Sequence, residues 1–162
     1  QHKPKNITSF LQNRFKKISY NQIARQSLHT EQISNHVAFL AKNKNMKKII
    51  NKFQKKIIKT NKKICLEGRD IASKILAKNP KYDLAFYFKC NIDVASYRRW
   101  LEINKKVSLK EVKRSLNKRT LMDKRRKHSP LVKVKDSILI KTHNLSKKDV
   151  VSIMSKYIEN LD

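Results

Sequence analysis

A single glycine, Gly68, stands among the 162 residues of the chain, and that scarcity limits what the chain can fold into. Average usage of roughly 7 per cent would supply about eleven. A phosphate-cradling loop of the form G-x-x-x-x-G-K-[ST] takes two glycines, and a dinucleotide-binding G-x-G-x-x-G takes three. In both, the backbone must turn tightly and approach a phosphate with no Cβ in the way. Neither motif can be written with Gly68 alone, and collagen-like or glycine-rich disordered readings fall with them.

Charge is the second constraint. Lys plus Arg number 40 against 12 Asp plus Glu, a formal net charge of +28. A lysine-rich genome accounts for lysine outnumbering arginine, but not for so few acids. So large a self-repelling field predicts a polyanionic partner. Residues 1–60 hold 14 Lys/Arg and one acid, Glu31, whereas residues 61–162 hold 26 Lys/Arg and 11 acids. Cys65 and Cys90 sit alone in apolar runs, with no C-x-x-C, and the five histidines are scattered. That predicts no metal centre, no cofactor, and two reduced thiols in an intracellular reducing compartment. No apolar run reaches the ~18–20 residues of a membrane span. A start at Gln1 is what a cleaved organellar presequence would leave, and equally what a partial sequence would show.

Along the chain, residues 1–13, polar with Pro4, read as an extended arm. Residues 30–41 have helical spacing. Over 45–59, Met46, Ile49, Ile50, Phe53 and Ile57 share one face opposite a row of lysines, the pattern of an amphipathic helix. Ile64–Asp70, Asp83–Cys90 and Ser137–Thr142 are short apolar runs of the kind buried strands show. Helical patterns at 92–102, 108–127 and 146–160 lie between and after them. Strands alternating with helices predict an α/β fold with a parallel sheet and crossover helices.

Two clusters carry chemistry. Glu67-Gly68-Arg69-Asp70 ends the first strand-like run, and ligand sites of open α/β sheets lie at the carboxyl ends of strands. Arg119, Asp123 and Arg126 are spaced i, i+4, i+7, so Asp123 would hold both guanidiniums ready to grip a phosphate. The alternative for this triplet is a surface ion-pair ladder worth a few tenths of a kcal/mol.

Taken with Leu28-His29-Thr30-Glu31-Gln32-Ile33-Ser34-Asn35 and with Ser129-Pro130-Leu131 followed by Thr142…Asn144-Leu145-Ser146, these clusters resemble, in order and spacing, the bacterial-type cytidylate kinases over about residues 18–160. The resemblance implies a truncated P-loop-kinase-like sheet plus a basic helical N-terminal region. It divides the chain into a basic arm at 1–17, a helical region at 18–60 like the nucleoside-monophosphate-binding part, and an α/β core at 61–162 with a lid-like helix at 108–127. It also implies that Arg69 and Asp70 are groups that bind the nucleoside monophosphate. Lys47 falls where the family carries an arginine on the acceptor phosphate, and Arg119, Asp123 and Arg126 form the basic group closing over the transferring phosphoryl. The departures are a missing first strand with its phosphate loop, Ala72 in place of a glycine and Ala38 in place of a base-reading serine.

The missing strand would be central, and unpaired buried backbone groups cost about 1–3 kcal/mol each. Residues 1–15 could replace it, its neighbours could pair directly, or a second polypeptide could complete the sheet. With the loop gone and the charge so high, the sequence favours a non-catalytic RNA-binding protein, a kinase-derived subunit of a mitochondrial ribosome. It would work in the organellar matrix among rRNA and neighbouring ribonucleoprotein proteins. On that reading Lys16, Lys17, Lys47, Lys48, Lys55, Lys56, Lys124, Arg125 and Lys127 would meet RNA, and Lys47, Arg69, Asp70, Arg119, Asp123 and Arg126 would be vestigial. The alternative is a cytidylate kinase whose phosphate-loop portion lies on another chain or outside this sequence.

Overall fold

The structure, a computed structural model, describes residues 6–17, 33 and 43–161. The chain divides into two compact units, Gln1–Cys65 and Leu66–Asp162.

In the first unit, α1 (Ile7–Lys17) packs against α2 (Lys44–Thr60). The extended arm expected over 1–13 is therefore corrected to a helix from Ile7 onward. Ile7, Phe10, Leu11 and Phe15 recur at helical spacing, and Asn6 starts the helix, its Oδ1 accepting from the Ser9 N–H at 3.1 Å. The side chain stops an otherwise orphaned donor from going unpaired. α2 follows its sequence pattern closely. Asn43 caps it by accepting from the amides of Asn45 and Met46, and Met46 and Ile58 are buried while Lys44, Lys48, Lys52, Lys56 and Lys59 face water. The helical pattern at 30–41 lies outside the described residues except for Ile33, as does Ala38.

The second unit is α/β. β1 (Phe86–Lys89) pairs in parallel with β2 (Ile138–Lys141), in the register Phe86–Ile138 to Lys89–Lys141. α3 (Ile92–Glu102) and α4 (Leu109–Lys124) make the crossover, and α5 (Lys147–Glu159) follows β2. Each helix start is built from a side chain that the sequence offers. Asn91 caps α3. Ser108 with Glu111 and Ser146 with Asp149 form reciprocal capping boxes on α4 and α5. Hydrogen bonds from the Ser108 hydroxyl, and then from its N–H, hold the Glu111 carboxyl below the usual carboxylate range.

α3 and α4 pack together around buried Ser96 and Val112. The turn between them places Asn104 and Lys105 at φ 54° and 57°. It is held by Trp100 Nε1, which donates to the Val107 carbonyl at 2.8 Å, and by Lys105 Nζ, 5.0 Å from the Trp100 ring centre. An ion pair from Lys113 to Asp93 ties the two helices from outside. Arg98 donates to the carbonyls of Thr142, His143 and Leu145 at 2.9, 3.3 and 2.9 Å, fixing the turn that leaves β2. The core gathers Ile75, Leu76, Ala85, Val112 and Ile140.

Two expectations need correction, and two of the options for the missing strand fall. Residues 64–70 form no strand: 64–68 are irregular, and Ile71–Ile75 make a single π-helical turn. A strand exists only by pairing, and among the described residues the sheet is β1–β2 alone, with nothing beside 64–67 to complete a ladder. For the same reason, residues 7–17, being helical, supply no substitute strand, and the runs at 64–67 and 86–89 do not pair directly. Finally, the helix expected over 108–127 stops at Lys124, with Arg125 as its C-cap. Ser129, buried at φ 58°, turns the chain back so that the Leu131 N–H reaches the Asp123 carbonyl at 2.8 Å.

The segment entering β2 is fastened at Asp136, which accepts a hydrogen bond from the Tyr82 hydroxyl and lies 3.4 Å from Lys81 Nζ. The hydrogen bond to Asp136 is the main reason that the Tyr82 phenol is pushed up to about 12, and the same bond lowers the Asp136 carboxyl. The protonated phenol is the folded-state form, so its contribution to stability is complete below the ordinary tyrosine value of 10.0 and disappears as pH rises through about 12. The lowered Asp136 contributes above its ordinary value of 3.8 and is lost as pH falls below it. In an alkaline spectrophotometric titration we expect Tyr82 to ionise near pH 12, and the Asp136→Asn variant to bring it down toward 10.0.

Candidate active site

The sequence offers one glycine, and the structure shows why it is there. A Cβ at Gly68 would stand 2.8 Å from Ile71 Cγ1, a contact that cannot exist without movement. Gly68 therefore lets the Gly-Arg-Asp segment fold tightly onto the π-helical turn. Asp70 heads that turn, its carbonyl accepting from the amides of Lys74 and Ile75 at 2.9 and 3.4 Å. Ala72 occupies the turn's second residue.

Arg69 leaves this segment and reaches α4. Its Nη1 lies 2.8 Å from Asp123 Oδ2, while Arg126 Nη2 donates to Asp123 Oδ1. Asp123 is 1 % exposed. The contact from Arg69 is ionic rather than a directed hydrogen bond, since Oδ2 has no aligned donor. A buried carboxylate carries a heavy desolvation cost unless it is paired. Here two guanidiniums meet that need while keeping 39 % and 31 % of their side-chain surface in water. The cluster has a net charge of +1 from three charged groups, and each guanidinium has more donors than Asp123 can engage. Its water-facing N–H groups form a pre-oriented grip for an anion with several oxygens.

This arrangement differs from the expected triplet. Asp123 holds Arg126, but its second partner is Arg69 in place of Arg119, and Arg119 is exposed on α4 with no ion pair among the described residues. The cause is the helix end at Lys124: Arg126 lies beyond the helix and returns to Asp123 from the turn, so the i, i+4, i+7 face does not exist. The Arg69–Asp123 contact, between residues 54 positions apart, has no local sequence signal.

Lys124, Arg125 and Lys127 are exposed around the end of α4. Lys17 is exposed on α1, where Lys16 also falls with its side chain outside the described set. On α2, Lys48 and Lys56 are exposed and Lys47 and Lys55 half-buried. The Leu28–Asn35 motif lies outside the described residues apart from Ile33. Among the described residues no group of three or more His, Cys, Asp or Glu could hold a metal, and no helix is long and apolar enough to cross a membrane.

A parallel α/β unit with crossover helices, in which a Gly-Arg-Asp turn and a basic helix share one carboxylate, has a P-loop-kinase-like fold. The profile of the cytidylate kinase family matches residues 5–160, and the chain belongs to that family. It is similar to the cytidylate kinase of Rickettsia akari (strain Hartford), 31 % identical over 136 residues that make up 82 % of this chain and 61 % of that protein. The cytidylate kinase of Rickettsia felis is 32 % identical over the same shares, and that of Alkaliphilus oremlandii 30 % identical over 129 residues, 78 % of this chain and 58 % of that protein. The chain therefore spans about three fifths of the length of these relatives.

These findings overturn the expectation of a non-catalytic RNA-binding subunit of a mitochondrial ribosome, a ribonucleoprotein component or pseudoenzyme. The proteins that this chain matches are named as kinases, which are enzymes. The error lay in weighing net charge, a property of the whole surface, above a specific cluster. The Asp123 cluster is such a local arrangement, one buried carboxylate between two arginines.

Two measurements check the site. Either Arg69→Ala or Arg126→Ala leaves Asp123 one partner and should cost about 1 kcal/mol in urea unfolding. The double variant strands a buried charge and should cost about 3–5 kcal/mol, clearly more than the sum. Simple additivity would show that the two arginines do not share the carboxylate. Gly68→Ala should destabilise by about 1–3 kcal/mol through overpacking, with most of the loss recovered when Ile71→Ala is added.

Proposed function

We propose that this chain is the acceptor-side and lid portion of a cytidylate kinase, which moves the γ-phosphoryl group of ATP to CMP. The P–O bond to the ADP leaving group breaks, a new P–O bond forms to a phosphate oxygen of CMP, and the products are ADP and CDP. The observation that carries the reading is the Asp123 cluster, found within a chain that the cytidylate kinase profile covers almost end to end.

Phosphoryl transfer asks a protein for positioning and charge compensation more than for covalent chemistry. Arg69 and Arg126, held by Asp123, bind the CMP phosphate through N–H groups that need no reorganisation at the moment of transfer. Asp70 stands beside Arg69 on the acceptor side. Arg119, exposed on the same helix as Asp123, reaches the transferring group as charge shifts onto its oxygens. Lys47, on α2 of the first unit, falls where the resemblance implies an arginine. The surrounding charge raises the local concentration of anionic nucleotides and speeds their encounter. One glycine cannot make the loop that cradles the donor phosphates, so that loop comes from residues outside these 162, within the length by which the relatives exceed this chain.

In calorimetric titration the chain should bind CMP, and Arg126→Ala should weaken binding at least tenfold, the equivalent of ~1.4 kcal/mol. Mixed with the part of the Rickettsia akari kinase that this chain does not match, it should phosphorylate CMP from ATP. A mixture that forms a complex, binds both nucleotides and yields no CDP would overturn the reading.

A further inference from the structure

Register in the sheet sets two like charges side by side. Of the four partner pairs between β1 and β2, three join aromatic to aliphatic residues, Phe86–Ile138, Tyr87–Leu139 and Phe88–Ile140, and the last is Lys89–Lys141. Partners on neighbouring strands stand ~4.8 Å apart with their side chains on the same face. Both lysines are exposed, and neither enters an ion pair among the described residues. Like charges placed directly opposite each other destabilise a sheet. Elsewhere in this unit Lys81 and Lys113 each meet a carboxylate, of Asp136 and Asp93.

The pair closes the carboxyl ends of both strands, the side on which α/β sheets bind ligands. Its surroundings offer little to repel an anion. The Lys89 carbonyl accepts from the Thr142 N–H at 2.8 Å. The carbonyls of Thr142, His143 and Leu145 all accept from the Arg98 guanidinium, which adds a third cation at this end of the sheet. The acids that follow the two strands are engaged: Asp93 pairs with Lys113, and Asp149 closes the capping box with Ser146.

We infer that Lys89 and Lys141 form a phosphate-binding pair, an anion site that shares no residue with the Asp123 cluster. Two ammonium groups call for two negative charges in one place. A carboxylate brings one, whereas a phosphate group near neutral pH brings about −1.5 to −2 together with three acceptor oxygens. Each ammonium has three rotatable donors on a flexible stem, so both tips can converge on one phosphate from neighbouring strands. The ligand is a small molecule ending in a phosphate group, either free pyrophosphate or the phosphate chain of a nucleotide. Strand register supports the site independently of the kinase reading.

Pyrophosphate is the probe, titrated into the Arg126→Ala chain so that the Asp123 cluster is disabled, and binding is read from backbone amide shifts by NMR. The shifts should centre on Lys89, Cys90, Asn91, Lys141 and Thr142. Lys89→Gln and Lys141→Gln, made in the same chain, should each weaken binding about tenfold by removing a charged donor. Lys141→Arg keeps the charge and should keep most of the affinity. If a glutamine variant does not fold, the shift map and the arginine variant decide. Shifts spread evenly over the exposed lysines, or undiminished affinity in both glutamine variants, overturn the pair. ATP added to the pyrophosphate complex then separates the two sources. Displacement with shifts on the same amides marks a nucleotide-borne phosphate, and no displacement marks a free phosphoanion; the pair stands in both cases. Loss of CMP binding by the Arg126→Ala chain concerns the Asp123 cluster alone, so the two sites fail separately.

Discussion

A carboxylate withdrawn from water and held between two arginines organises the second unit of this protein. Asp123 belongs to α4, Arg69 to the Gly-Arg-Asp segment and Arg126 to the turn beyond the helix, so one charge fixes three pieces of chain to each other. The pairing is costly to break from either side: a buried carboxylate without cations is strongly disfavoured, and two guanidiniums without it repel. What the cluster secures beyond stability is orientation. Arg69 comes from irregular backbone, and without Asp123 it would sample many rotamers; pinned, it presents donors in a fixed fork.

The sheet shows the opposite condition. Among the described residues it consists of two parallel strands, and 64–68 are irregular. Strand structure is a property of pairs, whereas a helix satisfies its own backbone. That is why five α-helices but only two strands stand among the described residues. Net charge misled for a related reason. It reports on encounter and solubility and is silent on which anion is bound, a question settled by a few side chains at fixed distances.

The sequence by itself determined the helices of the second unit almost to the residue. Asn91, Ser108 and Ser146 start them, and the capping residues act over three or four positions, so their effect is written locally. The family was legible in it, and the Gly-Arg-Asp segment and the basic end of α4 stood out as two separate clusters. Tertiary structure alone decided that Asp123 pairs with Arg69 and leaves Arg119 in solvent, that Ser129 turns the chain before a last helical turn can form, and that 64–67 pairs with no strand among the described residues. Each of these depends on chain beyond the local pattern, and a local pattern of residues holds no information about a contact whose other half lies elsewhere.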